Sequence, residues 1–268
     1  MIHVVTLPKE SDNYVNEDFI KKMPSGICVS DGAGGGGLFA ELWSQYLVEN
    51  LPAEPIQSSE ELENWLSRIW EPFFVKCELM ARERGALALD KFYNEGSFAT
   101  LASVWINEKS QRCFWTSYGD SVVFHYRMTS RMLFSSIESL DSFNNQPFLI
   151  NFNKPIIPKG YSGGEFALFS DSIVMVCSDA MAHYILLMYY LNNKNEYSEI
   201  ISKSLQSGTK NSLITKVALN SRIPKFEKVL EKLMSSSKNR ANFKRHTEAL
   251  KRKGFLSSDD YSFGFVTL

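Results

Sequence analysis

The sequence predicts an α+β protein in which mainly antiparallel sheets are covered by helices. Strand-like segments follow one another between residues 97 and 133, and helical patterns occur in separate groups before and after that run. Strands that alternate regularly with helices would be typical of a parallel doubly wound sheet, whereas separate runs favour α+β. The 268 residues suffice for one substantial core, so we expect a single domain over residues 1–268.

The first part of the chain predicts two strands and two helices. The apolar segments 2–7 and 27–30 have strand character and are separated by a polar stretch. After a glycine-rich run, leucines at helical spacing predict a helix over about residues 38–47. Ser58, followed three residues later by Glu61, is typical of a capped helix start, and this second helix should reach about residue 84.

The middle of the chain predicts a β-meander. Runs of β-branched and aromatic residues at 99–106, 113–118 and 122–126 are typical of strands joined by short turns. The following stretch, 136–164, is rich in Asn, Pro, Ser and Gly. We interpret it as a long, partly irregular, flap-like excursion of the kind that covers functional sites.

The last third predicts two more strands, a group of helices and a closing strand. Strand character returns at 166–169 and 173–177, helical patterns fill 180–251, and the segment 261–267 is the final strand. The apolar stretch 181–191 is far shorter than the roughly 20 residues that cross a bilayer, so we expect no membrane partner.

Composition limits the classes of partner. The formal net charge of −1 provides no overall field toward nucleic acid or an anionic membrane. The basic stretch 238–253 could suggest nucleic acid, but a solvated late helix is the commoner explanation, and we expect no nucleic-acid partner. No export signal follows Met1, which predicts a cytoplasmic protein. The four dispersed cysteines are interpreted as reduced core thiols.

Acidic residues recur where predicted strands begin or end. Asp31 follows the second strand, Asp179 follows the strand 173–177, and Asp259 precedes the last strand. A carboxylate at the end of a buried strand is costly unless it is paired or bound to a metal. A turn or helix cap is the simpler interpretation of any one of them. Their joint pattern favours a site for Mg²⁺ or Mn²⁺, which prefer oxygen ligands.

Six short motifs are spread along nearly the whole chain. They are Asn16-Glu17-Asp18, Val29-Ser30-Asp31-Gly32-Ala33-Gly34-Gly35, Gly96-Ser97-Phe98-Ala99, Gly119-Asp120-Ser121, Ser178-Asp179-Ala180 and Asp259-Asp260-Tyr261-Ser262. In this order they resemble the motifs of the type 2C family of metal-dependent serine/threonine protein phosphatases. Each motif alone is a weak signal, whereas six in the family's order are specific.

The resemblance implies a four-layer α/β/β/α sandwich, with two mainly antiparallel sheets flanked by helices, and a site for two Mg²⁺ or Mn²⁺ ions. By this resemblance Asp31 bridges the two ions and the carbonyl of Gly32 binds one of them. Asp179 and Asp259 complete the coordination of the other ion. The implied reaction is hydrolysis of phosphoserine or phosphothreonine in proteins by a metal-activated water.

Three further acidic residues have implied roles. Glu17 and Asp18 orient metal-bound waters, so that the implied catalytic residues are these two together with Asp31 and Asp179. Asp120 would help Asp179 to hold a third, weaker ion. The implied partners are phosphoprotein substrates and a cognate kinase.

The chain departs from the family's pattern at several positions. Asn13 stands where an Arg usually grips the substrate phosphate, and Lys9, the nearest cation, is only a weak candidate to replace it. Other departures are Phe98, Val122, Ala180 and Ala33. They leave an alternative open, a pseudophosphatase that keeps the fold and binds a phosphoprotein or another partner. A nucleotide phosphate cradle at the glycine run is disfavoured because no Gly-Lys-Ser/Thr follows.

Overall fold

The structure is a computed structural model that describes residues 1–9 and 13–268. The strands of this part of the chain are β1 Ile2–Leu7, β2 Asp18–Met23, β3 Gly26–Asp31, β4 Phe98–Ala99, β5 Leu101–Asn107, β6 Arg112–Tyr118, β7 Val122–Arg127, β8 Met132–Ser135, β9 Ile150–Asn151, β10 Tyr161–Ala167, β11 Ser172–Cys177 and β12 Tyr261–Thr267. The helices are α1 Ala40–Glu49, α2 Ser59–Arg84, α3 Ala86–Glu95, α4 Asp179–Asn192, α5 Ser198–Gln206, α6 Lys210–Leu219, α7 Phe226–Ser237 and α8 Arg240–Arg252.

Two antiparallel sheets form the centre of the fold. The first sheet has the strand order β1-β12-β11-β7-β8, and the second has the order β10-β6-β5-β3-β2. A small third sheet pairs β4 with β9. Neighbouring strands within each sheet run antiparallel.

Each sheet is buried on both faces, which explains why its central strands are almost continuously apolar. In β3, Ile27 and Val29 point into the core between the two sheets, whereas Cys28 packs against helices on the outer side. In β11, Val174 and Val176 line the same inter-sheet core, and the intervening residues face the opposite helical layer. This alternation follows from the two-residue period of a strand.

Helices complete the outer layers. Helices α1, α2 and α3 contribute to the core on the second sheet, and α4, α7 and α8 contribute to the core on the first sheet. Helix α4 is buried on all sides because further helices cover it, which accounts for its apolar sequence. The predicted α+β class and four-layer arrangement are therefore confirmed. In the part of the chain that the structure describes, no helix has the length and apolarity needed to cross a membrane.

Most predicted elements are present at or near their predicted bounds. Strands β1 and β12 match the predictions 2–7 and 261–267, and Ser58 caps α2 by accepting a hydrogen bond from Glu61 N at 3.1 Å. The four cysteines are buried free thiols, as predicted.

Some elements were not predicted, among them the short strand β9, and the strand predicted at 166–169 lies at 161–167 as β10. The polar stretch after residue 16 continues into strand β2, and a separate helix α3 follows Gly85. Gly85 has a φ of 105°, which ends α2 at Arg84, as predicted, and separates it from α3.

The segment 136–164 is partly irregular, as expected. It contains two short 3-10 turns, strand β9 and the start of β10. Leu140 and Ile150 anchor it in the helical cores on opposite sides of the molecule. Its role as a flap over the site stays a prediction.

Candidate functional site

The predicted site residues lie at a common edge of the two sheets. Strand β3 ends at Asp31, β11 is followed by Asp179, and β12 is preceded by Asp259. Because the pairing is antiparallel, the end of one strand lies beside the start of the next, as where Cys177 of β11 pairs with Phe263 of β12. Asp120 belongs to the same edge, because β7 starts beside the end of β11.

Asp18 and Asp31 are direct cross-strand partners in the β2–β3 hairpin. Residues directly opposite each other in an antiparallel pair point to the same face, so the two carboxylates share one side of the sheet. Asp18 is 3% exposed, and within the described residues neither of its carboxylate oxygens has a donor in good hydrogen-bond geometry, although the hydroxyl groups of Ser178 and Ser262 are near enough to favour its charged form. A buried carboxylate left in this way needs another ligand or a proton.

The backbone of Asp31 is held by the adjacent strand. Its N–H donates to Thr100 Oγ1 at 3.2 Å, and its carbonyl accepts from Thr100 N at 2.8 Å. Thr100 Oγ1 also lies 2.6 Å from Ser121 Oγ, next in sequence to Asp120. This hydroxyl pair connects the residue before β5 with the turn between β6 and β7. Gly119, with a φ of 89°, makes the turn that places Asp120 there.

The glycine loop lies against Glu17. Gly32 N donates to the carbonyl of Glu17 at 3.0 Å, so the loop is tied to the N-terminal segment. A Cβ added to Gly34 would stand 2.0 Å from Glu17 Oε1, which shows how closely this carboxylate approaches the loop. Glycine at this position therefore creates the space that the Glu17 side chain occupies.

The neighbours Asp259 and Asp260 have different environments. Asp260 is buried and its carboxylate accepts the N–H of Lys9 at 2.5 Å and the N–H of Glu17 at 2.8 Å. Asp260 therefore holds Lys9, which follows β1, and Glu17, which precedes β2, in fixed positions. Asp259 is partly exposed and accepts only the N–H of Asp260, at 3.1 Å, among the hydrogen bonds of the described residues. Its carboxylate is the one available to a ligand.

Electrostatics indicates that the aspartates are close neighbours. The pKa of Asp31 is held well above its ordinary value, first by burial and then by the negative charges of Asp18, Asp179, Asp120 and Asp259. Burial also raises the pKa of Asp179 well above the usual range, and Asp120, Asp259 and Asp18 raise it further. The five aspartates therefore form one interacting cluster.

The remaining members of the cluster are shifted in the same direction. Burial raises the pKa of Asp18 to about 7, although the hydroxyl groups of Ser178 and Ser262 oppose this shift. Burial raises the pKa of Asp120 to about 6. Repulsion of this kind is relieved when a cation binds.

The residues present fit hydrated divalent cations. Within residues 1–9 and 13–268, no three His, Cys, Asp or Glu side chains are gathered tightly enough to form a ligand set around one ion. Mg²⁺ and Mn²⁺ do not require such a set, since they keep several waters and accept carbonyl oxygens. Within the described part of the chain, none of the cluster's aspartates forms an ion pair with Lys or Arg. These aspartates are Asp18, Asp31, Asp120, Asp179 and Asp259.

Two of the residues that depart from the motifs, Phe98 and Ala180, make local contacts through their backbones. Phe98 uses its backbone carbonyl to accept the N–H of Ala33 at 2.9 Å, so its side chain is not needed for this contact. Ala180 donates its N–H to Asp179 Oδ1 as α4 begins. Lys9 Nζ lies 3.6 Å from Glu17 Oε2. The sequence predictions did not identify Asp260 as an anchor, because Asp-Asp before a strand does not tell which carboxylate turns inward.

Comparison with known proteins shows similarity at the level of structure. No protein-family model and no curated protein matches the chain. The catalytic domain of the serine/threonine phosphatase PstP, solved with two manganese ions, is 13% identical with a TM-score of 0.53, over 99% of this chain and 96% of that one. PstP/Ppp of Mycobacterium tuberculosis is 12% identical with a TM-score of 0.53, and the match covers 100% of this chain and 98% of that chain.

Two further structures are similar over the whole length. Stp1 of Staphylococcus aureus is 15% identical with a TM-score of 0.52, covering 100% of this chain and 94% of that chain. The serine/threonine phosphatase of S. agalactiae is 18% identical with a TM-score of 0.52, and the match covers 100% of this chain and 99% of that chain. All four neighbours are described as phosphatases, and at these identities the similarity shows a shared fold.

Proposed function

We propose that the protein is a metal-dependent phosphatase that hydrolyses phosphoserine or phosphothreonine in proteins. The observation that carries the proposal is the cluster around Asp31, which pairs with Asp18 across the hairpin and lies at the same strand ends as Asp120, Asp179 and Asp259. Burial, and then these four charges, raise the pKa of Asp31. The shared fold supports it, because the neighbours named above are serine/threonine phosphatases. Phosphoproteins, and with them a cognate kinase, are the partners that follow from this activity.

The proposed metal ligands are the carboxylates of Asp31, Asp179 and Asp259 and the carbonyl of Gly32, with Asp120 at a weaker third position. When bound, divalent ions acidify a coordinated water and neutralise charge on a phosphoryl group. The chain's part is to hold these oxygen ligands in place, and the Thr100 contacts to the Asp31 backbone serve this purpose.

Glu17 and Asp18 are proposed to orient water in the site. Glu17 is held from two sides, by the anchor of its N–H on Asp260 and by the close approach of Gly34. Asp18 presents two buried oxygens with no donor in good hydrogen-bond geometry within the described residues, so it can accept hydrogen bonds from ordered water. Both residues would fix the direction of a water proton during attack on phosphorus.

The proposal is tested with purified protein, excess Mn²⁺, and p-nitrophenyl phosphate or a phosphothreonine peptide. Wild type should turn over both substrates, and Asp31→Asn or Asp179→Asn should lower kcat by roughly 100-fold or more because each removes a proposed metal ligand. Asp90→Asn is the matched control, since Asp90 is an exposed aspartate of α3 and is not one of the proposed site residues.

The same experiment distinguishes the pseudophosphatase alternative, which Asn13 motivates. Calorimetric titration of Mn²⁺ measures metal binding independently of turnover. A folded wild type that binds Mn²⁺ but hydrolyses neither substrate would reject the enzyme and favour a binding module. Turnover that persists in Asp31→Asn would contradict the assignment of the site.

A further inference from the structure

A lysine from a distant part of the chain reaches the proposed site. Lys210 is the first residue of helix α6, and its Nζ donates to the carbonyl of Ser258 at 3.0 Å. Ser258 directly precedes Asp259, so the ammonium group lies beside a proposed metal ligand. Lys has three N–H donors, and this contact uses one of them.

The start of α6 is held in place by the segment that follows β8. Thr209 caps the helix and donates its hydroxyl to Asn144 Oδ1 at 2.5 Å, and Asn211 Nδ2 donates to the carbonyl of Phe143 at 3.0 Å. Contacts on both sides of Lys210 therefore fix its backbone relative to the loop that carries Asp259. The Lys210 side chain itself is exposed and is directed to this loop by its contact with the Ser258 carbonyl.

The two lysines near the cluster differ in their partners. Lys9 is less suited to a phosphate, because its Nζ lies 3.6 Å from the carboxylate of Glu17. Lys210 contacts a neutral carbonyl instead, so its positive charge is not already paired there.

A phosphate dianion needs such a cation here. The cluster contains five aspartates, and Glu17 and Asp260 add further negative charge, so two divalent ions alone leave an excess of negative charge around the substrate. A positively charged group at the rim lowers the cost of bringing a dianion into this field. Asn13 cannot supply that charge.

On these contacts we infer that Lys210 of helix α6 binds the phosphate group of the substrate beside Asp259. The inference rests on the proposed function and adds a substrate-binding residue to it. It assigns to α6 a role that an Arg in the N-terminal loop would otherwise have, and it identifies the bound group as a phosphate monoester dianion.

Steady-state kinetics on p-nitrophenyl phosphate, which offers a phosphate without a peptide, test this role. Lys210→Met should raise KM, and the inhibition constant of inorganic phosphate, by roughly tenfold, the effect of losing one charge-assisted hydrogen bond. The kcat value should change much less, and Lys210→Arg should restore most of the affinity. Lys251→Met is the matched control, because Lys251 contacts the same residue: its Nζ donates to the side-chain Oγ of Ser258 at 2.7 Å.

The possible outcomes separate this inference from the proposed function. An active wild type whose KM and phosphate inhibition are unchanged in Lys210→Met overturns the inference and leaves the function standing. An effect on a phosphopeptide but not on p-nitrophenyl phosphate also overturns it, because Lys210 would then contact the peptide. If wild type shows no turnover, calorimetric binding of a phosphoserine peptide to the Mg²⁺-loaded protein decides: weaker binding by Lys210→Met supports the inference, and equal binding rejects it.

Discussion

Asp18 lies directly opposite Asp31 across the β2–β3 hairpin, and the two carboxylates face the same edge of the sheet. A like-charged pair at such a position is destabilising in the absence of a cation. Burial raises the pKa of Asp31 and of Asp179, and the charges of neighbouring aspartates, Asp120 and Asp259 among them, raise it further. The arrangement therefore stores electrostatic strain that ligand binding can relieve, and this has measurable consequences.

Removing one charge from the cluster should stabilise the metal-free protein. We expect Asp31→Asn to raise the free energy of unfolding in EDTA by about 0.5–2 kcal/mol, because Asn replaces a carboxyl that must either be ionised against burial and the other aspartates or hold a proton that the unfolded chain releases. The same variant should lose the stabilisation that Mn²⁺ confers on wild type. Urea denaturation with EDTA and with Mn²⁺ measures both effects, with Asp90→Asn as control. A less stable metal-free variant would contradict the repulsive cluster.

The metal-free protein should lose stability as pH rises from 7 to 8. Burial raises the pKa of Asp18 to about 7, far above that of an unfolded aspartate, so the folded state holds a proton that the unfolded state has already released. Stability gained in this way is complete below the unfolded-state pKa and is lost as pH rises toward and through the folded-state pKa; the part of the loss that falls between pH 7 and 8 is about 0.4 kcal/mol for one carboxylate.

Other groups limit the interval in which this effect can be seen. Burial lowers the pKa of His125 and of His183 to about 4, which makes the protein less stable as pH falls below about 6.5. Unfolding in EDTA should therefore be compared at pH 7 and pH 8, with Asp18→Asn as the variant that reduces the slope. Excess Mn²⁺ should reverse the trend, because its ligands must be deprotonated. A flat profile without metal would refute this account.

The neighbours Asp259 and Asp260 should have separable effects. Asp260→Ala leaves the N–H groups of Lys9 and Glu17 without their acceptor, so we expect a loss of roughly 1.5–3 kcal/mol in unfolding free energy. Asp259→Ala should leave stability almost unchanged while weakening Mn²⁺ binding. Thermal unfolding and calorimetric Mn²⁺ titration of both variants check this, and equal losses of stability would argue against the anchoring role.

Gly34 and Gly35 form a matched pair for testing the position of Glu17. A Cβ at Gly34 would meet Glu17 Oε1 at 2.0 Å, whereas a Cβ at Gly35 meets nothing within 4 Å. The atom displaced by Gly34→Ala is the end of a flexible side chain, so the fold should tolerate the change. We expect kcat to fall roughly 10-fold or more in Gly34→Ala, as for other residues that position a catalytic group, and to stay near wild type in Gly35→Ala.

The measurements for this pair are kcat on p-nitrophenyl phosphate and the thermal unfolding midpoint. Equal activity of the two variants would show that the position of the Glu17 carboxylate does not matter. A lower midpoint in Gly34→Ala alone would indicate that the substitution disturbs the loop, and not only Glu17.

Much of the fold could be predicted because its signals are local. The β-branched runs of β5 to β7 and the cap at Ser58 identify their elements without knowledge of the rest of the chain. Strand β2 could not be recognised, because Lys21 and Lys22 are exposed and only part of this edge strand is buried. Its pairing with β3 is what makes it a strand.

Local patterns were sufficient to identify most helices and strands and to single out Asp31, Asp179 and Asp259, because strand ends, caps and glycine turns depend on neighbouring residues. Their relative placement, the anchoring role of Asp260 and the approach of Lys210 to the loop before β12 required the folded chain. These contacts join residues more than 40 positions apart, and the pairing of strands and the packing of two sheets bring such residues together. The helix and strand periodicities of a sequence involve only neighbouring residues, so they cannot predict contacts between residues this far apart in the chain.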